Sequence, residues 1–599
     1  MIHRVFDSKY FEWGILVIII LFSFLWMQFA SIGDSLVFDE LAHIPAGYSY
    51  LKYFDYRLNP EHPPLLKAFS AIPLLFLNLN FPTSGMSWNN EDEWGVGNQF
   101  IFNSNNNADF IIFLSRLGPI ILTLLLIFFV YFIAKDLVGK RWALLPAFFI
   151  ALSPNILAHG HYVTTDIGVS LFILMAIYFF NKYIINPSMH LLIISGITFG
   201  LAQLSKFSAL ILIPTFIVLA IIFSFNNKPR LVVFKNTFLV FLIGFFLVYG
   251  VYFLFSLNYP LNKQISKSIS VFRIYNQQMT ETARENCLGS DTGLKFRTKC
   301  FLKETLIQMS GNKITRPIVQ YLIGARAVYK QSVSSPIHYL TFFNGSICNC
   351  GRWYYFPMLL ILKEPLPLLI LIIVVLGLGS WKIIKRLSWL RLSNLNKNTL
   401  NYLERHFAEF SMTLFVIIYG VYALRSNLNI GIRHILPIMP FVYILITIGL
   451  KTTHIYMKNI LIFILVAWYF LETLFAFPYF LSYFNQLGGG VKNGYNYAVD
   501  SNYDWGQDLK RLSQWVKSNN IQKITVNYFG TGNVGYYLKD KAESWDSEKG
   551  NPKERGINWS AVSVNFLKTY PEQYLWLQKI KDIDKPDYRA GTSIFIYKL

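Results

Sequence analysis

The sequence predicts an α-helical polytopic membrane protein of about eleven transmembrane helices, closed by a small extracytoplasmic α/β domain. Three observations carry this. Of the 599 residues, 54% are hydrophobic and only 15% charged, where a soluble protein would carry about a quarter charged. The apolar residues fall into runs about as long as a bilayer is thick. After about residue 480 the runs stop, and polar, strand-like segments begin.

The runs place helices near 11–32, 110–134, 142–158, 166–184, 190–205, 208–225, 231–256, 355–380, 410–425, 432–450 and 457–479. Arg4 and Lys9 precede the first run, which is too long for the core of a cleaved signal peptide. It reads as a retained helix. With the N-terminus in the cytoplasm, the connections 135–141, 181–190, 226–235, 381–409 and 451–458 lie inside. The fourth collects Lys382, Lys385, Arg386, Arg391, Lys397 and Arg405 against Glu404 and Glu409, and basic loops stay inside. The net charge of +21 therefore orients the chain in a bilayer and gives no reason to invoke nucleic acid.

Three large pieces fall outside: 33–109, 257–354 and the segment after 480. In the last, Lys523 to Phe529, Ala561 to Phe566 and Ser593 to Tyr597 read as strands, while Leu509, Leu512 and Val516 share one face of a helix. The chain divides into a membrane domain, 1–480, and an α/β domain, 481–599. It shows no internal repeat and no low-complexity tract. All four cysteines, Cys287, Cys300, Cys348 and Cys350, lie in loop 257–354. An even count in an outside loop points to disulfides. Three pairings are open. The closeness of Cys348 and Cys350 favours a bond from 287/300 to 348/350. Zinc is the alternative, but no nearby His completes a ligand set.

Fixed charge beside a membrane is costly unless it serves a function. Phe38-Asp39-Glu40-Leu41-Ala42-His43 and Asn59-Pro60-Glu61-His62-Pro63-Pro64-Leu65 follow the first span. On the same face the topology places Asp166, Lys206, Lys363, Glu364, Arg433 and His434, together with His159 and His161. A lipid-phosphate sugar donor needs such a set. A carboxylate takes the proton of the attacking hydroxyl, and cations receive the departing phosphate. A transporter more often keeps its charges at mid-bilayer on broken helices.

These motifs resemble the protein O-mannosyltransferase-like glycosyltransferases of the GT-C superfamily, of the bacterial phospholipid-carrier-dependent type. More distantly they resemble the lipid A aminoarabinose transferases. The resemblance rests on the two loop motifs above, then Thr164-Thr165-Asp166, Leu204-Ser205-Lys206-Phe207, Trp353 to Pro357 with Lys363-Glu364-Pro365-Leu366-Pro367, Gly431-Ile432-Arg433-His434, Asn493-Gly494, and Asp500 to Leu509, in this order along nearly the whole chain. It departs from the eukaryotic O-mannosyltransferases, whose repeated β-trefoil insert has no counterpart in loop 257–354.

The resemblance implies an inverting glycosyltransferase in a bacterial cytoplasmic membrane, acting on the extracytoplasmic face. Its donor would be a polyprenyl-phosphate sugar and its acceptor a protein, lipid or glycan hydroxyl. Asp39 is the expected base, and Glu40 its partner, holding a cation, a metal or the acceptor. His43, Glu61, His62 and Asp166 are candidates for supporting roles or acceptor binding; Lys206, Lys363, Arg433 and His434 are candidates for the donor phosphate. Several also have plain structural readings. Asp39 and Glu40 start a helix ahead of Pro45, His62 caps the apolar stretch 65–77, Asp166 begins a span, and Asp504 to Asp508 dock the C-terminal domain. A divalent cation is left open. The rivals are a flippase of lipid-linked sugars and a non-catalytic assembly protein on the same scaffold.

Overall fold

The computed structural model describes residues 11–225, 229–272, 294–334, 340–387, 405–453 and 457–599. Every apolar run is helical. Among the described residues, eight helices are long and apolar enough to cross a membrane, or nine if one bent pair is counted as a span. In chain order the relevant helices are α1 (Phe11–Gly33), α2 (Glu40–Tyr53), α3 (Leu65–Ala71), α4 (Ala108–Val138), α5 (Lys140–Leu152), α6 (Pro154–His159), α7 (Asp166–Ile185) and α8 (Met189–Ser205). Then come α9 (Leu212–Ser224), α10 (Arg230–Phe255), α11 (Tyr355–Lys363), α12 (Leu366–Leu387), α13 (Phe407–Leu424), α14 (Met439–Thr452), α15 (Lys458–Ala476) and α16 (Leu509–Ser518).

Three of the eleven expected spans depart from a full straight helix, each for a local reason. The run 142–158 splits into α5 and α6, because Ser153 is extended and Pro154 starts a new helix whose Ile156 amide is capped by the Ser153 hydroxyl. The run 355–380 bends by 115° between α11 and α12. There Pro365 holds Glu364 extended, as a proline does to the residue before it. Helix α8 is straight but, at 17 residues, short of a full crossing. Most of the basic connection 381–409 lies outside the described residues.

Sequence alternation predicts which helix ends meet, and they do. The C-terminal ends of α1, α8 and α13 come together with the N-terminal ends of α2, α7 and the 3₁₀ turn Ile432–Ile438 that leads into α14. The first outer loop folds back over this end as α2 and α3, which cross at Gly47. A Cβ there would sit 2.0 Å from the Lys67 carbonyl oxygen, so only glycine allows the approach.

Beyond α15 the chain forms a five-stranded sheet of order β4-β3-β5-β7-β6, made of β3 (Ile524–Asn527), β4 (Ala542–Ser544), β5 (Trp559–Ser563), β6 (Tyr588–Ala590) and β7 (Ile594–Lys598). β3 runs parallel to β4 and β5, and β7 antiparallel to β5 and β6. Helix α16 buries Leu509, Leu512 and Val516 against this sheet, the face read from the sequence. The expected strand 561–566 is shifted: β5 ends at Ser563, and a short helix, Val564–Thr569, follows. Short strands β4 and β6 carried no alternation long enough to read.

The second outer loop carries a hairpin, β1 (Thr341–Phe343) and β2 (Ser346–Cys348), bridged to Ala498 through Phe343. Here the cysteine expectation is corrected. Cys348 bonds Cys350, whose Cα lies 5.3 Å away. The chain turns directly after β2 and brings the two into the ordinary disulfide range, which sequence spacing alone had argued against. Cys287 lies outside the described residues, as does the side chain of Cys300.

Candidate active site

Asp39 stands at the N-terminus of α2, 18% exposed, and its Oδ2 accepts a hydrogen bond from Arg433 Nη1 at 2.5 Å. Among the described residues no hydrogen bond reaches its other oxygen. The same Arg433 nitrogen lies 3.8 Å from Asp166 Oδ2, and Lys206 Nζ donates to Asp166 Oδ1 at 2.6 Å. Four elements far apart in sequence thus make one alternating row: Asp39, Arg433, Asp166, Lys206. The guanidinium also rests on the Trp505 ring, 4.4 Å from its centre, a contact that adds attraction and fixes the plane of the fork.

Asp166 is fully buried. It aims two cations, while its Oδ2 has no hydrogen-bond donor among the described residues. Lys206 opens onto a pocket with His62, His434, Phe207, Phe356, Tyr419, Tyr422 and Leu428 in its walls. Its lining combines Lys206 and the two histidines with aromatic and aliphatic side chains. His62 does not cap α3, whose N-cap is Pro64. Burial keeps its imidazole pKa well below the usual value, and His43 and Lys206 push the same way. His43 is pushed down to about 4 by burial, against a smaller raising by Asp39. Its Nδ1 lies 2.8 Å from the Val163 carbonyl oxygen, which can only accept, so the neutral ring carries its proton on Nδ1. Both rings are neutral at pH 7 and meet edge to face at 5.2 Å. Glu61 is part-buried near Glu93 and Lys67 and makes no contact with the row.

Glu40 does hold a cation, but a structural one. It is fully buried, accepting from Arg116 Nε at 2.9 Å and Nη2 at 2.7 Å and from the amides of Val37 and Val163. These four bonds leave it nothing to offer a substrate. Arg116 also donates to the carbonyls of Ser31, Asp34 and Ser35, stitching the turn that ends at Asp39. Lys363 is likewise set back from the row. It donates to the carbonyls of Leu481 and Asn502, and Glu364 bonds Asn155 and Tyr443. His161 turns to Asp34 and Leu157, while His159 faces Trp505. The two do not converge on a common ligand position.

Sequence reasoning missed several members. Asp34 binds Arg511 at 2.7 Å, and Tyr162 and His161 donate to it. Burial would raise its pKa, but Arg511 foremost, then His161 and Arg116, hold it well below the usual range. Lys67 donates to Tyr50, to the carbonyls of Asn59 and His62 and to the Asn59 side chain, holding the loop that presents His62. Arg116 and Lys67 had a signal: each is a lone charge inside an apolar run.

Among the described residues no three His, Cys, Asp or Glu side chains converge as a metal-ligand set. Arg433 lies between the carboxylates of Asp39 and Asp166, and Lys206 pairs with the far oxygen of Asp166.

Residues 108–252 match the family of dolichyl-phosphate-mannose-protein mannosyltransferases. The matched segment holds Arg116, Asp166 and Lys206, and the match bears out the resemblance read from the motifs and the reading of the chain as a glycosyltransferase. No curated protein matches the sequence significantly. Among solved structures, the apo oligosaccharyltransferase of Archaeoglobus fulgidus aligns over 95% of this chain and 72% of its own, at 14% identity and a TM-score of 0.45. ArnT from Cupriavidus metallidurans, bound to undecaprenyl phosphate, aligns over 98% of both chains, at 12% identity and a TM-score of 0.41. The Saccharomyces cerevisiae Pmt1-Pmt2 complex, bound to its sugar donor, covers 41% of this chain and 33% of its own, at 21% identity and a TM-score of 0.30. All three TM-scores are below 0.5, so the functional reading rests on the site itself and the family match.

Replacing Arg116 with Met strands a buried carboxylate. The expected cost is about 3–5 kcal/mol, read by SDS-induced unfolding in mixed micelles. A stability equal to wild type would show that Glu40 does not depend on Arg116.

Proposed function

We propose that this chain transfers a sugar from a polyprenyl-phosphate donor to an acceptor hydroxyl, at the extracytoplasmic face of a bacterial cytoplasmic membrane. The observation that carries this is the row itself: a part-exposed carboxylate, Asp39, paired with Arg433, which approaches the Asp166 held by Lys206, and Lys206 in turn lines a pocket with His62, His434 and aromatic side chains. In this proposal 1–480 form the membrane domain, and the pieces 33–109, 257–354 and 481–599 lie on its extracytoplasmic side.

The donor phosphate sits against Arg433 and Lys206, with His62 and His434 as hydrogen-bonding neighbours and the prenyl chain along Phe356, Tyr419 and Tyr422. Arg433 is occupied by Asp39 when no phosphate is present. A dianionic or monoanionic phosphate competes for the same fork, because guanidinium binds phosphate and carboxylate by the same geometry. The donor thereby loosens the grip on Asp39 and leaves it free to act as base. Asp39 accepts the proton of the acceptor hydroxyl, that oxygen forms its bond to the anomeric carbon, and the bond from this carbon to the phosphate oxygen breaks. The electron pair stays on the phosphate, which leaves as polyprenyl phosphate held by Arg433 and Lys206. One displacement inverts the anomeric centre. Glu40 and Asp166 take no proton; they position Asp39 and the two cations.

The Asp39→Asn variant is expected to lose at least about 10³-fold in turnover, within the usual worth of a general base, while still binding polyprenyl phosphate. Release of polyprenyl phosphate from radiolabelled polyprenyl-phosphate sugars measures it, and near-wild-type release would sink the assignment. Passage of intact sugar lipid across vesicles without release would favour a flippase instead. Lys206→Met is expected to weaken polyprenyl-phosphate binding about tenfold or more, read by titration in detergent. Unchanged affinity would remove Lys206 from the phosphate site.

A further inference from the structure

The first outer loop carries an apolar face that the described residues leave open. Between Lys67 and Glu91 there is no charged residue and no histidine. Helix α3 and the 3₁₀ turn Ile72–Phe76 that continues it bury Leu66, Lys67, Ser70, Ala71 and Leu74. The other face carries Leu65, Phe69, Ile72, Leu75 and Phe76 at helical spacing. Ile72 and Leu75 are exposed there, and Phe76 is 84% exposed. Such a patch on a loop surrounded by water would be unfavourable, and it marks a contact surface.

Helices α4 and α7 give the depth of this face. At one end Asp136 of α4 pairs with Lys182 of α7 at 3.0 Å, both of them exposed. At the other end Asp109 of α4 meets Tyr537 and Lys510 of the C-terminal domain, at 2.8 Å and 3.4 Å. At about 1.5 Å per residue these two ends of α4 are about 40 Å apart, the thickness of a bilayer with its headgroups. A hydrocarbon layer of about 30 Å lies between them. Helix α3 touches α4 at Gly118, where a Cβ would sit 2.7 Å from Ser70 Cα, and α7 at Gly168, where one would sit 2.4 Å from Leu66 Cδ2. These points stand about 27 Å from Asp136 and about 21 Å from Lys182, inside the hydrocarbon layer. Leu74 shares a buried cluster with Ile111, which stands about 37 Å from Asp136, at the boundary of that layer. A tilt of the spans shortens these figures together and leaves their order unchanged.

We infer that Leu65–Phe76 is seated in the leaflet on the side of the C-terminal domain, with Ile72, Leu75 and Phe76 against lipid where the acyl chains meet the headgroups. An in-plane or rising apolar face binds at this boundary by burying its side chains among the acyl chains. Through Lys67, which donates to the Asn59 and His62 carbonyls, the seated segment also sets the level of the loop that lines the Lys206 pocket. The inference requires that the chain span a membrane, and it requires no step of the sugar transfer.

The test uses the full-length protein in nanodiscs of phosphatidylcholine and phosphatidylglycerol, with a nitroxide label on Phe76→Cys and, separately, on Leu75→Cys. Wild type treated in the same way gives the signal of the native cysteines, which is subtracted, and an unchanged unfolding midpoint verifies the fold of each variant. Power saturation reads collisions of the label with oxygen, which enters hydrocarbon, and with a nickel chelate, which stays in water. Ile121→Cys, exposed on α4, is the lipid reference, and Ser547→Cys, exposed on the C-terminal domain, is the water reference. The oxygen-to-nickel collision ratio at both test positions is expected to exceed that at Ser547→Cys by at least about threefold, because a polar complex is excluded from apolar surroundings. A ratio equal to that at Ser547→Cys would place the face in water and overturn the inference. Low collision rates with both reagents would overturn it as well, by showing that protein, such as a second copy of the chain, covers the face. A chain that transferred no sugar would leave the lipid contact standing and remove only the glycosyltransferase reading.

Discussion

The site turns on one guanidinium. Arg433 is claimed by Asp39 at 2.5 Å, approached by Asp166 at 3.8 Å and backed by the Trp505 ring. It is delivered by a 3₁₀ turn, and the backbone on either side of Gly431 is clamped by Ser501 and Asn502 of the C-terminal domain. Remove that cation and two carboxylates face each other in a poorly hydrated space, where like charges are held apart only at a cost of several kcal/mol or by taking up a proton. Among the described residues Lys206 pairs with Asp166 alone. The row is therefore charge-balanced, with each carboxylate facing a cation.

Behind the row lies a second, deeper layer of charge. Glu40 with Arg116, and Asp34 with Arg511, are almost wholly buried. Arg511 also bonds Asp508, whose carboxylate accepts from the amides of Thr592 and Ser593. Through this chain of contacts the turn that ends at Asp39 is fixed to α4 of the membrane domain and to the edge of the C-terminal sheet. Buried ion pairs of this kind seldom add net stability. Their effect here is geometric: they hold the six residues from Asp34 to Asp39 against α4 and α16. The C-terminal domain is thereby part of the site's frame, and not an appendage to a membrane enzyme.

The membrane layer was legible because it is written in hydropathy alone. Period and length of apolar runs located the long helices, though 142–158 splits and 190–205 is short of a crossing, and the alternation of sides brought Asp39, Asp166, Lys206 and Arg433 to one end. What hydropathy does not encode is the direction of a side chain. Glu40 follows Asp39 by one residue, yet that single step around a helix turns it from the pocket into the protein, where Arg116 waits 76 positions away. Lys363 looked like a phosphate ligand by its position at the end of a span. The 115° bend at Pro365 instead sends it toward the backbone of Leu481 and Asn502. The bond between Cys348 and Cys350 likewise follows from a turn that spacing does not reveal.

The central claim is that donor phosphate takes Arg433 from Asp39. A cryo-electron microscopy structure of the protein with polyprenyl phosphate bound tests it most directly. The account predicts a phosphate oxygen within about 3 Å of the Arg433 and Lys206 nitrogens, the usual reach of a charge-assisted hydrogen bond, with the Asp39 carboxylate drawn away from Arg433 and open to solvent. A phosphate bound elsewhere, with Asp39 and Arg433 still paired at 2.5 Å as they are here, would contradict it.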